Sequence, residues 1–232
     1  MELNVKSFIN EMIRGKGTEG NLIKVVFTSL ITSFIVLGLL YFTKFKDIDN
    51  FFNSYGFFLF FGIVIYAFIS GVVYQVRAFG IFPCMSGMMI GMTLGMIAGF
   101  IPGFIIASTN GMFVGVVFGM IFGISTGMVA GSRCCGVMGF LEGIMAGFMG
   151  GLMGAMTAFM LLNDNLRAST VIVSFISMII LFALNYMLYI EGKQLENKRN
   201  NEGMLFTIGF TFISIVITTW LMIYGPKSGV FG

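Results

Sequence analysis

Long apolar runs alternate with short polar breaks along almost the whole chain. Each run has the length of about 20 residues that a helix needs to cross a hydrocarbon core of about 30 Å. The runs cover residues 22–43, 52–75, 83–107, 110–131, 135–162, 168–190 and 203–224. The pattern predicts an all-α fold, a polytopic transmembrane helix bundle of about seven spans, or six if one run is re-entrant.

The amino-terminal residues predict a different element. In residues 3–14, Leu3, Phe8 and Met12 fall close to one helical face, while Lys6 and Arg14 lie away from it. This is typical of a short amphipathic helix at the membrane interface. We therefore expect an interfacial helix with a linker at residues 1–20 and a single transmembrane domain at 21–232. A signal peptide is not expected, because no small-residue cleavage site follows the first apolar run.

Composition narrows the function. The 232 residues are 57% hydrophobic and only 10% charged, so polar groups are too few to cover a soluble surface. The chain has no histidine, which excludes imidazole acid–base catalysis and histidine-ligated metals. We expect no enzymatic activity and no nucleic-acid partner. The expected partner is the lipid bilayer.

The basic residues predict the orientation. Nine Lys and Arg fall on the amino-terminal side of the predicted spans and four on the other side. The positive-inside rule then places the amino terminus in the cytoplasm of a multi-pass protein of the cell inner (plasma) membrane. Cys84, Cys134 and Cys135 all fall at the cytoplasmic face, where reduced thiols are expected.

Glycine recurs every fourth residue in spans three, four and five. Four residues advance a helix by about 400°, so each set forms one nearly straight stripe. A glycine costs about 1 kcal/mol relative to alanine inside a helix, so the stripes need a compensating close approach of backbones. They predict a central three-helix glycine-zipper core, and a homo-oligomer is compatible with it. The packing glycines are Gly87, Gly91, Gly95, Gly99, Gly111, Gly115, Gly119, Gly123, Gly127, Gly139, Gly143, Gly147 and Gly151.

Methionine is enriched in the same block, with 14 of the 20 methionines between Met85 and Met160. Many directly follow a stripe glycine, so we expect the thioethers to flank the seam and to face the neighbouring helices. Two interpretations stay open. Methionine fills irregular gaps in a core, and thioethers and thiolates are soft ligands that select Cu(I).

The sulfur residues at the span ends favour the metal interpretation. The predicted topology brings the start of span three, the end of span four and the start of span five to one face. The candidate ligands there are Cys84, Met85, Met88, Met128, Cys134, Cys135 and Met138. Copper(I) is the candidate ion.

Glu142 is the only acid in the glycine block and lies well inside span five. A carboxylate at such a depth is costly and marks a functional site by default. We expect its side chain to point into the interior of the three helices, where it pairs with a cation, carries a proton or bonds across helices.

The segments GMMIGMTLGMIAGFIPG and EGIMAGFMGGLMGAM resemble a group of uncharacterised bacterial Gly/Met-rich polytopic membrane proteins. The resemblance covers residues 83–160 and implies a membrane location and metal handling. It transfers no catalytic residue.

Three functions follow from these patterns. The first is binding or transport of Cu(I) or another soft metal through Met and Cys sulfurs. The alternative is a glycine-seam channel, or a structural membrane protein in which methionine fills the core. A thiol–disulfide electron carrier is the third, and the one-sided position of the cysteines argues against it.

Overall fold

The computed structural model describes residues 18–41, 55–79, 83–194 and 204–226. The predicted interfacial helix at residues 3–14 lies outside these ranges.

Seven helices occupy the described residues, which contain no strand. They are α1 Thr18–Leu40, α2 Phe57–Phe79, α3 Cys84–Asn110, α4 Met112–Cys135, α5 Val137–Met160, α6 Leu166–Gln194 and α7 Met204–Tyr224. All seven are long and apolar enough to cross a membrane. The predicted all-α transmembrane bundle is confirmed, with seven spans and not six in the described part of the chain. The protein is therefore a multi-pass integral membrane protein.

Single glycines make the two turns between α3, α4 and α5. Gly111 separates α3 from α4 with φ 115°, and Gly136 separates α4 from α5 with φ 61°. A residue with a Cβ rarely adopts such angles, so glycine allows these very short connections. The sequence placed Gly111 in the packing stripe of span four. It lies instead in the turn, because α4 begins one residue later.

The helices form two regions that share α3. The glycine triplet consists of α3, α4 and α5, each in extensive contact with the other two. The flanking group consists of α1, α2, α6 and α7, in which α2 packs against α1, α6 and α7. Both α6 and α7 also touch α3, so that helix lies between the two regions.

Backbone meets backbone inside the glycine triplet. A Cβ built on Gly95 would lie 2.9 Å from the carbonyl oxygen of Gly143 and 3.2 Å from the Cα of Gly127. The same holds along the helices, where Gly91 meets Gly131 and Gly139. The stripe glycines of three helices therefore lie in common layers, and no side chain separates the backbones there. This approach explains why the sequence keeps glycine at these positions.

The flanking group packs with side chains. Its core contains aliphatic residues that are almost completely buried, with Ile63, Ile69, Leu181, Leu188 and Ile215 among the largest. Their buried neighbours include many hydroxyl side chains. The hydroxyl of Thr218, for example, donates to the carbonyl oxygens of Ser214 and Ile215 in its own helix. Such local bonds let serine and threonine lie in an apolar interior.

Candidate functional site

The glycine layers bring the predicted sulfur residues to one end of the triplet. Gly91 of α3, Gly131 of α4 and Gly139 of α5 lie in one layer. Beyond that layer lie the start of α3, the end of α4 and the start of α5. The backbones of the seven candidate ligands thus fall within about two helical turns of this layer. The end that carries them is called the sulfur end below.

The candidate ligands differ in accessibility. Met85 is 78% exposed and Met138 69% exposed, and Cys84 is a free, exposed thiol. Met88 and Met128 are partly buried. Cys134 and Cys135 lie in the last turn of α4, and their side chains are outside the described set. Because Cys84, Met85 and Met138 are exposed, a metal ion can reach their sulfurs without a change in the fold.

The methionines do not face the neighbouring helices as expected. None of the fourteen between Met85 and Met160 is buried, and nine are exposed. The physical reason lies in the glycine layers, because helices in backbone contact leave no gap for a side chain to fill. The core-filler interpretation therefore does not hold for the nine exposed methionines within a single copy of the chain, and it stays open for the five that are partly buried.

Two rows of methionine run along the outside of α3 and α5. On α3, Met85, Met89, Met92 and Met96 fall within an arc of about 60° at 100° per residue. The second row, within a similar arc on α5, consists of Met138, Met149, Met153, Met156 and Met160. The α5 row extends over 22 residues, or about 33 Å, which matches the thickness of a hydrocarbon core.

The two rows flank the same groove. The backbone of Met96 lies against Gly150 of α5, and the backbone of Phe100 lies against Gly154. The face of α5 that meets α3 is thus marked by Gly150 and Gly154, whereas Gly147 and Gly151 meet α4. Around the circumference of α5, the face that contacts α4 is followed by the face that contacts α3, and then by the methionine row. We call the outer groove between α3 and α5 the thioether groove.

Glu142 lies in the α5 row, between Met138 and Met149. Its side chain is partly buried, whereas the positions that point into the triplet are Gly139 and Gly143. The expected direction into the interior is therefore not observed. The reason is again steric, because the triplet interior has no space for a carboxylate. Gly95 of α3 contacts α5 just beyond Gly143. Because α3 and α5 run in the same direction, Glu142 lies at about the same depth in the bundle as Met92.

Oxygen and nitrogen ligands are sparse near the groove. No group of three His, Cys, Asp or Glu that would hold a metal ion occurs among the described residues. The donors that the groove offers are thioethers, with Cys84 at its mouth and Glu142 as its carboxylate. Such a set suits a soft monovalent cation and is unsuited to zinc or to a hard divalent ion.

Several polar side chains lie in the flanking group, where the sequence analysis predicted no site residue. Ser86 of α3 donates a hydrogen bond to Oε1 of Glu191 near the end of α6. Gln75 of α2 and Asn185 of α6 are buried and carry amide atoms without hydrogen-bond partners in the described structure. The sequence placed Gln75 at the end of the apolar run 52–75 and Asn185 inside the run 168–190, and no role was predicted for either residue.

Arg77 lies near these residues but faces the other way. Its Cζ lies 3.9 Å above the ring centre of Phe206 at the start of α7. It also borders a small cavity with Val129 and Ala130 of α4. Gln75 lies two residues earlier in the same helix, so its side chain leaves α2 on the opposite side at about 200°. The guanidinium is therefore directed away from the face that carries Gln75.

Comparison with known proteins adds no relative. No family model, no curated protein and no solved structure matches the chain. The assignment therefore stops at the class that the helices define, a multi-pass integral membrane protein with seven spans among the residues that the structure describes.

Proposed function

We propose that the protein binds a soft monovalent metal cation, with Cu(I) as the candidate, and moves it along the thioether groove. One observation carries this proposal. Two methionine rows, exposed except at the partly buried Met96, run side by side on parallel helices, with an exposed thiol at one end and one carboxylate between the thioethers. Thioether and thiolate sulfur are the ligands that select Cu(I). Methionine spread at random over the outer face would give no such rows.

The paired rows suggest where the cation binds. Met85, Met89, Met92 and Met96 accompany α5 only in the half of the bundle nearest the sulfur end. In that half a cation can take sulfur from both helices, and Glu142 supplies a negative charge at the depth of Met92. Farther along, Met156 and Met160 continue on α5 alone. In this proposal the half of the groove nearest the sulfur end is the binding region, and the other half offers successive weaker positions.

The proposal includes an orientation. With the amino terminus in the cytoplasm of the inner (plasma) membrane, the sulfur end faces the cytoplasm, where Cys84 stays reduced. The proposed role is non-enzymatic, and it agrees with the metal handling implied by the resemblance to Gly/Met-rich membrane proteins. A glycine-seam channel is less well supported, because the seam is filled by the backbones of three helices.

Ag(I), a redox-stable substitute for Cu(I), tests the proposal by equilibrium binding to purified protein in detergent. We expect near-stoichiometric binding that weakens by at least about tenfold in a Met89→Leu, Met92→Leu, Met149→Leu variant. The matched control is Met178→Leu, Met187→Leu, Met222→Leu, three methionines outside the groove. Equal binding by both triple variants would refute the thioether groove.

Two single substitutions separate the parts of the site. Glu142→Gln keeps the shape and removes the charge, so it should weaken Ag(I) binding while the protein still accumulates in membranes. Cys84→Ser should weaken binding independently. Impermeant maleimide on intact cells tests the orientation, because Cys84 should remain unlabelled until the membrane is opened.

A further inference from the structure

Tyr66 of α2 buries a hydroxyl group that has no partner. The residue is 3% exposed, and its hydroxyl makes no hydrogen bond in the described structure. Tyr66 lies about 14 Å along the helix from Phe57, where α2 begins, and about 20 Å from its end at Phe79. It is therefore well inside the span, where lipid tails offer neither donors nor acceptors. A partner for this hydroxyl has to come from inside the bundle.

Tyr66 lines a cavity at the place where α2, α3 and α7 meet. The cavity has a volume of about 10 Å³, which is about the smallest space that holds one water molecule. Its polar lining residues are Tyr66 and Thr218, and its other walls are Gly62 and four aliphatic side chains. The Tyr66 hydroxyl is directed toward the Thr218 side chain, although the two oxygens form no hydrogen bond of normal geometry.

Thr218 can accept a hydrogen bond in the cavity. Its hydroxyl proton is already used, because it donates to the carbonyl oxygens of Ser214 and Ile215 in its own helix. Its lone pairs remain, and the Tyr66 hydroxyl can both donate and accept. A direct bond between the two hydroxyls would use the proton of Tyr66 but would leave the cavity empty. Cavities that stay empty in proteins are apolar, and this one has two hydroxyl groups in its wall.

The size and charge of the cavity restrict its ligand. None of the lining residues is charged. A cation would therefore find two neutral oxygens and no negative charge, which does not compensate for the loss of its hydration shell. A Cβ on Gly62 would lie 2.9 Å from Cδ1 of Ile105, another lining residue, so glycine at this position helps to keep the space open. The ligand that fits is neutral, as small as water, and both a donor and an acceptor.

We propose that the cavity binds one water molecule, which donates to Oγ1 of Thr218 and forms a hydrogen bond with the Tyr66 hydroxyl. The water links α2 to α7 deep in the membrane, at the point where both helices reach α3. It gives Tyr66 the partner that no described residue supplies. The site belongs to the flanking group and lies apart from the thioether groove, so its occupancy does not depend on a soft metal.

X-ray footprinting of the purified full chain tests the proposal. X-rays convert water to hydroxyl radicals, which hydroxylate an aromatic ring that lies next to the water. After correction for the intrinsic reactivity of the two rings, Tyr66 should be modified at least about fivefold faster than Phe104, an equally buried ring of the triplet. Mass spectrometry of peptides measures both rates. Equally slow modification of the two rings would overturn the proposal in favour of a direct bond between the hydroxyls.

Two neighbouring substitutions locate the water. Thr218→Val keeps the shape of the side chain and removes the acceptor, so Tyr66 should lose most of its modification. The matched control is Thr219→Val, because Thr219 is also buried and donates to carbonyl oxygens of its own helix but does not line the cavity. It should leave the rate at Tyr66 unchanged.

An undiminished rate in Thr218→Val, or an equal loss in both variants, would overturn the assignment of Thr218 as the partner of the water. The comparison of Tyr66 with Phe104 uses the wild-type chain, so the proposal remains testable when a variant fails to accumulate.

Discussion

In the glycine triplet the inner positions carry glycine and the outer positions carry methionine, whereas in the flanking group the inner positions carry Ile, Leu and Val. The two regions therefore differ in whether their large apolar side chains lie outside or inside the packed helices. Three backbones in contact leave no interior for side chains, so the bulky residues of α5 all lie outside. Around α2, by contrast, side chains such as Ile63 and Leu188 fill the space between more distant helices.

The two regions also differ in their polar groups. The interior of the triplet consists almost entirely of backbone. The one acid of the three helices, Glu142, lies on the thioether groove. The flanking group buries Gln75, Asn185 and one oxygen of Glu191 without partners. A helical membrane protein can thus place side chains with ligand atoms either on the outside of a tightly packed unit or inside a more loosely packed one. This chain does both, with soft donors in the first region and hard donors in the second.

The largest expected effect comes from adding one methyl group to the triplet. A Cβ on Gly119 would lie 2.8 Å from the Cα of Gly103 and 2.9 Å from the carbonyl oxygen of Gly99. Backbone cannot move aside as a flexible side chain can, so Gly119→Ala should lower the free energy of unfolding by about 3 kcal/mol. Thermal unfolding in mild detergent measures this.

The control for this substitution is Gly38→Ala in α1, where a Cβ meets nothing within 4 Å. Because alanine favours a helix more than glycine does, it should leave the free energy of unfolding unchanged or raise it by up to about 1 kcal/mol. Similar losses at both positions would contradict the distinction between the two regions.

The next effect belongs to the flanking group. Leu188 of α6 is completely buried among aliphatic side chains. Leu188→Ala leaves a cavity and should cost about 2 kcal/mol in unfolding free energy. Ile179→Ala, on the exposed side of the same helix, provides the control and should cost much less. If the two variants unfold alike, the flanking group has no tightly packed core.

A smaller effect is expected where the two regions join. Asn110 at the end of α3 is completely buried, and its Nδ2 donates to the carbonyl oxygen of Leu221 in α7 at 2.6 Å. Asn110→Ala removes this bond between the triplet and the flanking group and should cost about 1 kcal/mol. Limited proteolysis and Tm report the change, with the exposed Asn163→Ala as the control. An unchanged Tm would show that this hydrogen bond does not hold the two regions together.

The sequence predicted the helices well because membrane spans are set by run length and hydropathy. The period of four also marked the contact faces, since only glycine tolerates the distances seen at Gly95. The direction of methionine was wrong because periodicity gives the angle between two side chains but not which side meets another helix. Gln75 was missed for a related reason, since a polar residue near a span end is normally solvated. Its burial depends on α2 continuing to Phe79.

The smallest expected change in stability is the most informative about why methionine lies on the outer face of the triplet. Met149 and Met153 are about half exposed on the outer face of α5. Leucine has a similar volume and is equally apolar, so the double variant Met149→Leu, Met153→Leu should change the free energy of unfolding by less than about 0.5 kcal/mol. The same variant should bind Ag(I) more weakly, which separates ligand chemistry from packing. A loss above about 1 kcal/mol would instead mean that another surface covers this face in the native assembly, because a side chain in contact with lipid or detergent has no fixed neighbours to lose. Measuring Tm and Ag(I) binding on one preparation therefore decides whether the outer methionines of the triplet are kept for their sulfur or for their shape.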